Sequence, residues 1–332
     1  CRTCKSRFSE RKGTVLYNSK IDSETAVSVL EHLAEGCGIR KTSRLTNVSL
    51  GTVARLSKMS GEHAKKAHDV LVPFPPLTNE VQCDEKWSFV GKKEKNCDSE
   101  DPMDEDYGDI WDFTALDPES RLILYVLTGK RTSENIYKIV REIKKRTQGR
   151  MMRLITTDKY MPYKEAILVE YGEVIHPEHT GRRGRPKKPY RIPKRGLNYA
   201  MVKKHLKRGR IVKVDTEIVF GNTKDLEAAL RRSKARKKIN TSFIERQNGT
   251  DRNRNSRKVR KTLCFSKERE EHDSMTFFSL YSYNFCWPIR TLRIQDNWGE
   301  VSSPRTPAMA AGLTDHVWSI REWVSFPVVQ CS

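Results

Sequence analysis

The chain has no run of about 18 apolar residues, the length a membrane-spanning helix requires, so no membrane span is expected. Its opening residues lack the basic and apolar regions of a signal peptide, and no export is expected. The eight cysteines are scattered, mostly in apolar or helical surroundings, so no disulfide framework is expected and a reducing compartment fits. Acid is scarce relative to base: 63 lysines and arginines face 42 aspartates and glutamates, for a formal charge of +21. That balance disfavours basic partners and points to a polyanion, nucleic acid before membrane. Phosphate contacts would make its binding steeply salt-dependent. A generic basic or ribosome-associated protein has the same charge, so charge alone does not decide the function. At 332 residues the chain can bury a substantial core in one to three domains. The expected compartment is the cytoplasm or nucleoid of a bacterium, or the nucleus of a eukaryotic host.

Three carboxylates in three local settings narrow the choice. Asp84 lies in VQCDEKWSFV, an apolar run that reads as a strand. Asp158 closes MRLITTD, a second strand candidate. Glu245 lies in NTSFIERQNGTDRNRNSRK, a polar helix start rich in arginine. Two strand aspartates and one helix glutamate, in a very basic chain, are what a metal-dependent phosphoryl-transfer enzyme acting on DNA needs. Each has a plainer alternative. Asp84, beside Gln82 and Lys86, also suits the solvated face of an edge strand. Glu245 also suits a capping box begun by Ser242.

At the amino end, Cys1 and Cys4 have the CxxC spacing of half a zinc site. Tetrahedral zinc wants four ligands, and neither Cys37 nor His32 is spaced to complete the set. Residues 1–20 read as the remnant of a zinc ribbon whose first CxxC lies upstream, and tight zinc binding by this chain alone is not expected. Residues 21–72 read as a small helical domain. Ala26, Val27, Val29, Leu30 and Leu33 form one apolar face, and Gly36 and Gly38 stop that helix. A short helix, a turn at Thr46-Asn47-Val48 and a helix from about Ser49 make a helix-turn-helix pattern. It would present Thr52, Arg55 and Lys58 to a DNA groove; a plain helical bundle has the same spacing. Prolines 73, 75 and 76 end the region and mark the best domain boundary.

Residues 78–293 read as a catalytic domain. Strands at 80–91, 109–116 and 121–127 are followed by a helix to about Arg146 and a fourth strand ending at Asp158. A helix over 160–171 and a fifth short strand at 173–176 come next. That order is the one of a ribonuclease-H-like fold, α/β with a mixed sheet flanked by helices. It makes the first strand central, so that Asp84 can meet Asp158. Residues 94–112 carry nine acids and one base, Lys95, and read as a solvated loop.

Residues 179–214 carry 14 lysines and arginines and no acid. Arg182, Arg183, Arg185, Lys187 and Lys188 surround a Gly-Arg-Pro core suited to a minor groove; a flexible counter-charged linker is the alternative. Leu197–Arg208 reads as a helix and Ile211–Phe220 as a strand, within a basic insertion spanning 179–240. The Glu245 helix also carries Asn248, Gly249 and Arg252 on its face, and Gly249 would let a backbone approach. Arg246, Arg252 and Arg257 are expected to hold DNA phosphates. The tail over 294–332 is expected to be disordered or divergent.

The chain resembles the DDE transposases of the insertion sequence one family of bacteria. The resemblance lies in Asp84-Glu85-Lys86-Trp87 with Val90-Gly91, in Thr157-Asp158 followed by Tyr163, and in Asn240-Thr241-Ser242-Phe243-Ile244-Glu245-Arg246-Gln247-Asn248. It continues through Arg257, Arg260-Lys261-Thr262-Leu263, Phe265-Ser266-Lys267, Glu271-His272 and Tyr283-Asn284-Phe285, and covers about residues 1–293. It implies a ribonuclease-H-like domain behind a zinc ribbon and helix-turn-helix, with Asp84, Asp158 and Glu245 as the triad. The expected partners are double-stranded DNA, as element ends and as target, and further copies of the chain on that DNA. The expected cofactor is Mg²⁺ or Mn²⁺, as two ions on hard oxygen ligands. Lys159, Trp287 and Ile289 depart from the family pattern, and the tail from about Trp298 matches nothing in it. A catalytically inactive, domesticated DNA-binding derivative and a nuclease of the same fold are the alternative readings.

Overall fold

The computed structural model describes residues 9–75, 77–98, 100–177, 187–295 and 302–328. Cys1, Cys4, Arg182, Arg183 and Arg185 lie outside them. Three helices come first: α1 (Ser23–Ala34), α2 (Ile39–Thr46) and α3 (Leu50–Leu71). Asp22 caps α1 by accepting from the Thr25 amide. Asn47, in the left-handed conformation, ends α2, and Ser49 caps α3. Their apolar faces do not close on themselves. One core cluster joins Leu30, Val53 and Leu56 of these helices to the sheet, and α3 lies along α8 (Arg269–Cys286).

The centre is a six-stranded mixed sheet. Its strands are β1 (Glu80–Val90), β2 (Gly108–Leu116), β3 (Ile123–Gly129), β4 (Leu154–Asp158), β7 (Tyr199–Lys207) and β8 (Arg210–Phe220), in the order β3-β2-β1-β4-β7-β8. β1 pairs antiparallel with β2 and parallel with β4; β4 pairs parallel with β7, and β7 antiparallel with β8. β1 is therefore central, not an edge. Between these strands run α4 (Ser133–Arg146), α5 (Pro162–Tyr171) and a two-stranded ribbon of β5 (Gly172–Ile175) and β6 (Tyr190–Pro193). After β8 come α6 (Thr223–Arg232) and α7 (Ser242–Arg254). α7 covers the β1 face that carries Gln82, Asp84 and Lys86, where Gln82 donates to the Asn240 carbonyl and accepts from the Ile244 amide.

Two expectations fail inside this sheet. Leu197–Arg208 is not a helix but contains β7, and the fifth strand of the sheet is β7 rather than 173–176. The stretch is rich in lysine, arginine and leucine, which favour helix. Tyr199–Val202 is nevertheless wholly buried between β4 and β8, and tertiary pairing overrides the propensity. The region from 179 to 240 is thus not only an insertion, because it supplies two strands of the sheet. Among the described residues, the short strand at 172–175 pairs only with β6.

The tail also departs from expectation, because residues 302–328 are folded. A two-residue ribbon of β9 (Ile294–Gln295) and β10 (Ser302–Ser303) leads to α9 (Pro307–Ala310) and α10 (Ile320–Ser325). Trp323 is fully buried, with its ring 5.3 Å from that of Phe285 on α8. The Val15 amide donates to the Val324 carbonyl and the Val328 amide to the Gly13 carbonyl, tying the two ends together. Burial of these aromatics supplies the order that a proline- and serine-rich composition does not suggest. Among the described residues no helix is long and apolar enough to cross a membrane.

Candidate active site

The register of the parallel pair sets the site. Cys83 of β1 stands against Thr157 of β4, so Asp84 and Asp158 follow side by side, with Asp158 at the strand's carboxyl end. Side chains at paired positions share a face. Asp84 accepts 2.7 Å from Asn248 Nδ2 of α7, and its other oxygen accepts 3.0 Å from the Glu85 amide. Burial, followed by the charge of Asp158, pushes the Asp84 carboxyl up to about 7. Asp158 is also pushed up to about 7, by burial and then by Glu85, against the pull of Arg131. One Asp158 oxygen, Oδ1, is buried without a hydrogen-bond partner.

Glu245 lies in the first turn of α7 and adds its charge to both aspartates. The alternative reading of Glu245, a capping box begun by Ser242, is not what forms. Thr241 is the N-cap residue, and its hydroxyl donates to the Glu245 carboxylate instead. Lys204 of β7 pairs with the same oxygen. Gly249 lets nothing approach within the chain, because a Cβ there would meet open space.

Three residues to which sequence reasoning assigned no role in the site complete the surroundings. Arg131 donates 2.9 Å to Glu85, reaches to 4.0 Å from Asp158, and is clamped between Trp111 and Tyr160 at 4.7 and 4.0 Å. Lys204 and Glu85 are the others. Glu85 was legible from its place next to Asp84; Arg131 and Lys204 carry no local signal, because their partners are far away in sequence.

Just along β1 lies a second, sealed charge centre. Lys86 pairs with Asp251 of α7 and, at 3.2 Å, with Asp112 of β2. Lys258 donates 2.6 Å to Asp112 and 2.6 Å to the Thr276 hydroxyl, and Ser279 donates 3.0 Å to Asp251. Burial opposes charge on Asp112, but Lys258 and Lys86 outweigh it and hold the carboxyl well below the usual range. Burial likewise opposes charge on Lys86, and Asp251 and Asp112 keep it protonated. Lys86 is thus not on a solvated face. The network bolts α7 to β1 and so fixes where Asn248 and Glu245 stand.

The expected DNA contacts are in varied positions. Arg55 is exposed on α3 and Thr52 is half-buried, bonded to Ser49. Lys58 is drawn to Glu270 of α8 at 2.6 Å. Lys187 and Lys188 are exposed. Arg252 is half-buried one turn beyond Asn248, whereas Arg246 lines a separate cleft with Arg121 and Trp287. Arg257 is engaged by Glu271 at 3.0 Å, which removes it from the set of uncommitted phosphate contacts.

Among the described residues no three His, Cys, Asp or Glu side chains are gathered tightly enough to hold a metal ion as they stand. The donor chemistry still fits a hard cation at the aspartate pair. These are oxygen ligands, one oxygen has no partner, and burial together with the neighbouring carboxylates raises both carboxyls. Glu245 fits once it is released from Lys204.

No family model and no curated protein matches the chain. Among solved structures, the chain is similar to the Mos1 strand transfer complex at 15% identity, over 45% of this chain and 56% of that chain, with a TM-score of 0.18. It is similar to the Mos1 transposase paired-end complex with left transposon end at 15% identity, over 45% and 58%, with a TM-score of 0.18. A pre-cleavage Mos1 transpososome gives 14% identity, 46% and 59%, and 0.19. The chain spans little more than half the length of these proteins.

Proposed function

We propose that the chain is a DDE-type transposase that binds element ends and catalyses metal-dependent DNA cleavage and strand transfer. The observation that carries this reading is the placement of Asp84 and Asp158 side by side on adjacent parallel strands. Both are raised to about 7, and Glu245 projects over them from α7. The strand order β3-β2-β1-β4-β7 supports a ribonuclease-H-like fold, and the charge of +21 supports DNA as partner. The helix-turn-helix role of α2 and α3 is part of the proposal, with Arg55 and Thr52 toward the groove.

Asp84, Asp158 and Glu245 would hold Mg²⁺ or Mn²⁺. When bound, such ions activate a water or a 3′-hydroxyl as nucleophile and stabilise the leaving oxygen. The chain's own residues position these ligands. Asn248 orients Asp84, Arg131 fixes Glu85 beside Asp158, and the Lys86–Asp251 pair holds the helix that carries Glu245. Lys204 neutralises Glu245 and would have to yield it to a cation. Arg252 is available for a strand phosphate.

The test is incubation of the full chain with DNA carrying the ends that flank its coding sequence, with and without Mg²⁺. Nicked and joined products, absent without metal, are expected. A second reading is favoured by the Lys204–Glu245 pair: a DNA-binding protein with an inactive centre. End-specific binding with neither nicking nor joining would replace the first reading by the second, whereas nicking without joining would indicate a nuclease.

A further inference from the structure

Beside the carboxylate centre, where β1 ends and α7 leads into the following loop, lies a cavity of about 560 Å³. That is within the range of small-ligand pockets, roughly 300–1,000 Å³. Trp87 and Phe89 supply its aromatic wall, and Lys93, Arg252, Arg260 and Lys261 its charge. No acid lines it. None of those four cations has an ion-pair partner among the described residues, unlike Arg257 and Lys258 at its back. Burial and the neighbouring Arg260 disfavour charge on Arg252, and the buried carboxylates Asp251, Asp84 and Asp112 act on it only through space, leaving its guanidinium without an ion-pair partner among the described residues. Lys261 holds a left-handed backbone at φ 58°, a strained conformation for a residue with a Cβ. The rings form a row: Trp87 to Phe89 is 5.9 Å and Phe89 to Phe265 is 4.8 Å, with Lys93 and Lys267 over their faces at 6.0 and 3.2 Å.

Aromatic faces interleaved with uncommitted cations are the chemistry of single-stranded nucleic acid binding. The cavity has few free polar edges with which to read a base, since Ser88 Oγ already donates to the Ile110 carbonyl. Arg252 lies one helical turn from Asn248, which bonds Asp84, so the cavity adjoins the cluster. We propose that it takes one unstacked nucleotide of the strand being processed, its base against Trp87 and Phe89 and its phosphates on Arg252, Arg260 and Lys261. Pulling that nucleotide out of the duplex would open the neighbouring phosphodiester to the carboxylates. This role rests on the DNA-processing reading above.

The test uses the full chain without metal, so that it does not depend on cleavage. A single strand of about 10 nucleotides, within the usual site sizes, carries 2-aminopurine, whose fluorescence is quenched on stacking. Quenching on binding is expected. Trp87→Leu should abolish it and weaken binding about 5- to 100-fold, as loss of one base–aromatic stack implies. Trp87→Phe should restore it, and Trp318→Phe, in the distant tail, should leave it unchanged. Arg252→Ala should weaken binding and lessen its salt dependence. Quenching that survives Trp87→Leu, or equal competition by free deoxyadenosine monophosphate, would overturn the assignment. If the strand binds as described but no DNA is cut with Mg²⁺, the transposase reading fails and the nucleotide pocket stands.

Discussion

Two charge centres sit two residues apart on one face of β1, and α7 serves both. The inner one is complete in itself. Lys86 and Lys258 balance Asp112 and Asp251, all four fully buried, with hydroxyls of Thr276 and Ser279 filling the remaining valences. The outer one is not. Asp84, Asp158 and Glu245 disfavour one another's ionisation, and among the described residues Arg131 reaches to 4.0 Å from Asp158 and Lys204 pairs with Glu245, while Asp84 has no ion-pair partner. Burial pushes the carboxyl pKa up at both centres; Lys258 and Lys86 overcome it at Asp112, whereas at Asp84 and Asp158 neighbouring carboxylates add to it. The same strand therefore builds a structural clamp and, beside it, the carboxylate site proposed to take a cation.

The sharpest way to break the comparison is mutation of each centre in turn. Asp84→Asn, Asp158→Asn and Glu245→Gln are each expected to lower metal-dependent nicking and joining at least about 100- to 1,000-fold, as loss of a major electrostatic contact to a transition state does. DNA binding and thermal stability should persist, because the loss falls on the transition state rather than the ground state. Full activity in any one of the three would remove that residue from the triad.

Asp112→Asn should do the reverse. It leaves Lys86 and Lys258 buried beside a single carboxylate, and breaking a buried pair typically costs about 3–5 kcal/mol. Denaturant unfolding should register that loss, while the folded fraction keeps its metal response. A stability change near zero would mean that the network is not a clamp.

The outer centre also predicts a pH signature. Asp84 and Asp158 titrate near 7 in the folded chain instead of at the ordinary carboxylate value of 3.8. The folded state thus holds protons that the unfolded chain has released. Their stabilising contribution is fully present below about pH 4 and is lost as pH rises through about 7. Added Mg²⁺ should reverse the loss, raising Tm more at pH 8 than at pH 5. Melts of Asp84→Asn should show a flatter pH profile and a smaller Mg²⁺ effect. Identical profiles for the two proteins would contradict the assigned shifts.

The smallest effect is expected at Lys204. Its pair with Glu245 is partly exposed, and such pairs are worth about 0.2–1 kcal/mol. Lys204→Met should free Glu245 and tighten Mn²⁺ binding by up to about fivefold. Weaker binding would show that Lys204 supports the site rather than competing for it.

How much of this was legible depended on how local each signal was. Asp84, Asp158 and Glu245 stood out because each ends or centres a short segment of clear type, and Asn248 shares the helix face of Glu245. β7 was misread because a four-residue buried run cannot be told from helix by periodicity. The lysine-rich half that follows favours helix as well. Lys86 was read as solvated because nothing near it in sequence reveals Asp251 or Lys258. Arg131 and Lys204 were invisible for the same reason, since only the sheet order brings β7 and the start of α4 to the end of β4. The tail's order rests on Trp323 meeting Phe285, a contact between distant segments that composition does not encode.

Manganese titration followed by electron paramagnetic resonance tests the central contrast most directly, since it counts bound ions without requiring DNA or turnover. The wild-type chain should bind Mn²⁺ at the outer centre, Asp84→Asn and Asp158→Asn should lose that binding, and Asp112→Asn should retain it. Equal Mn²⁺ binding by the wild type and the Asp84→Asn, Asp158→Asn double variant would contradict the account.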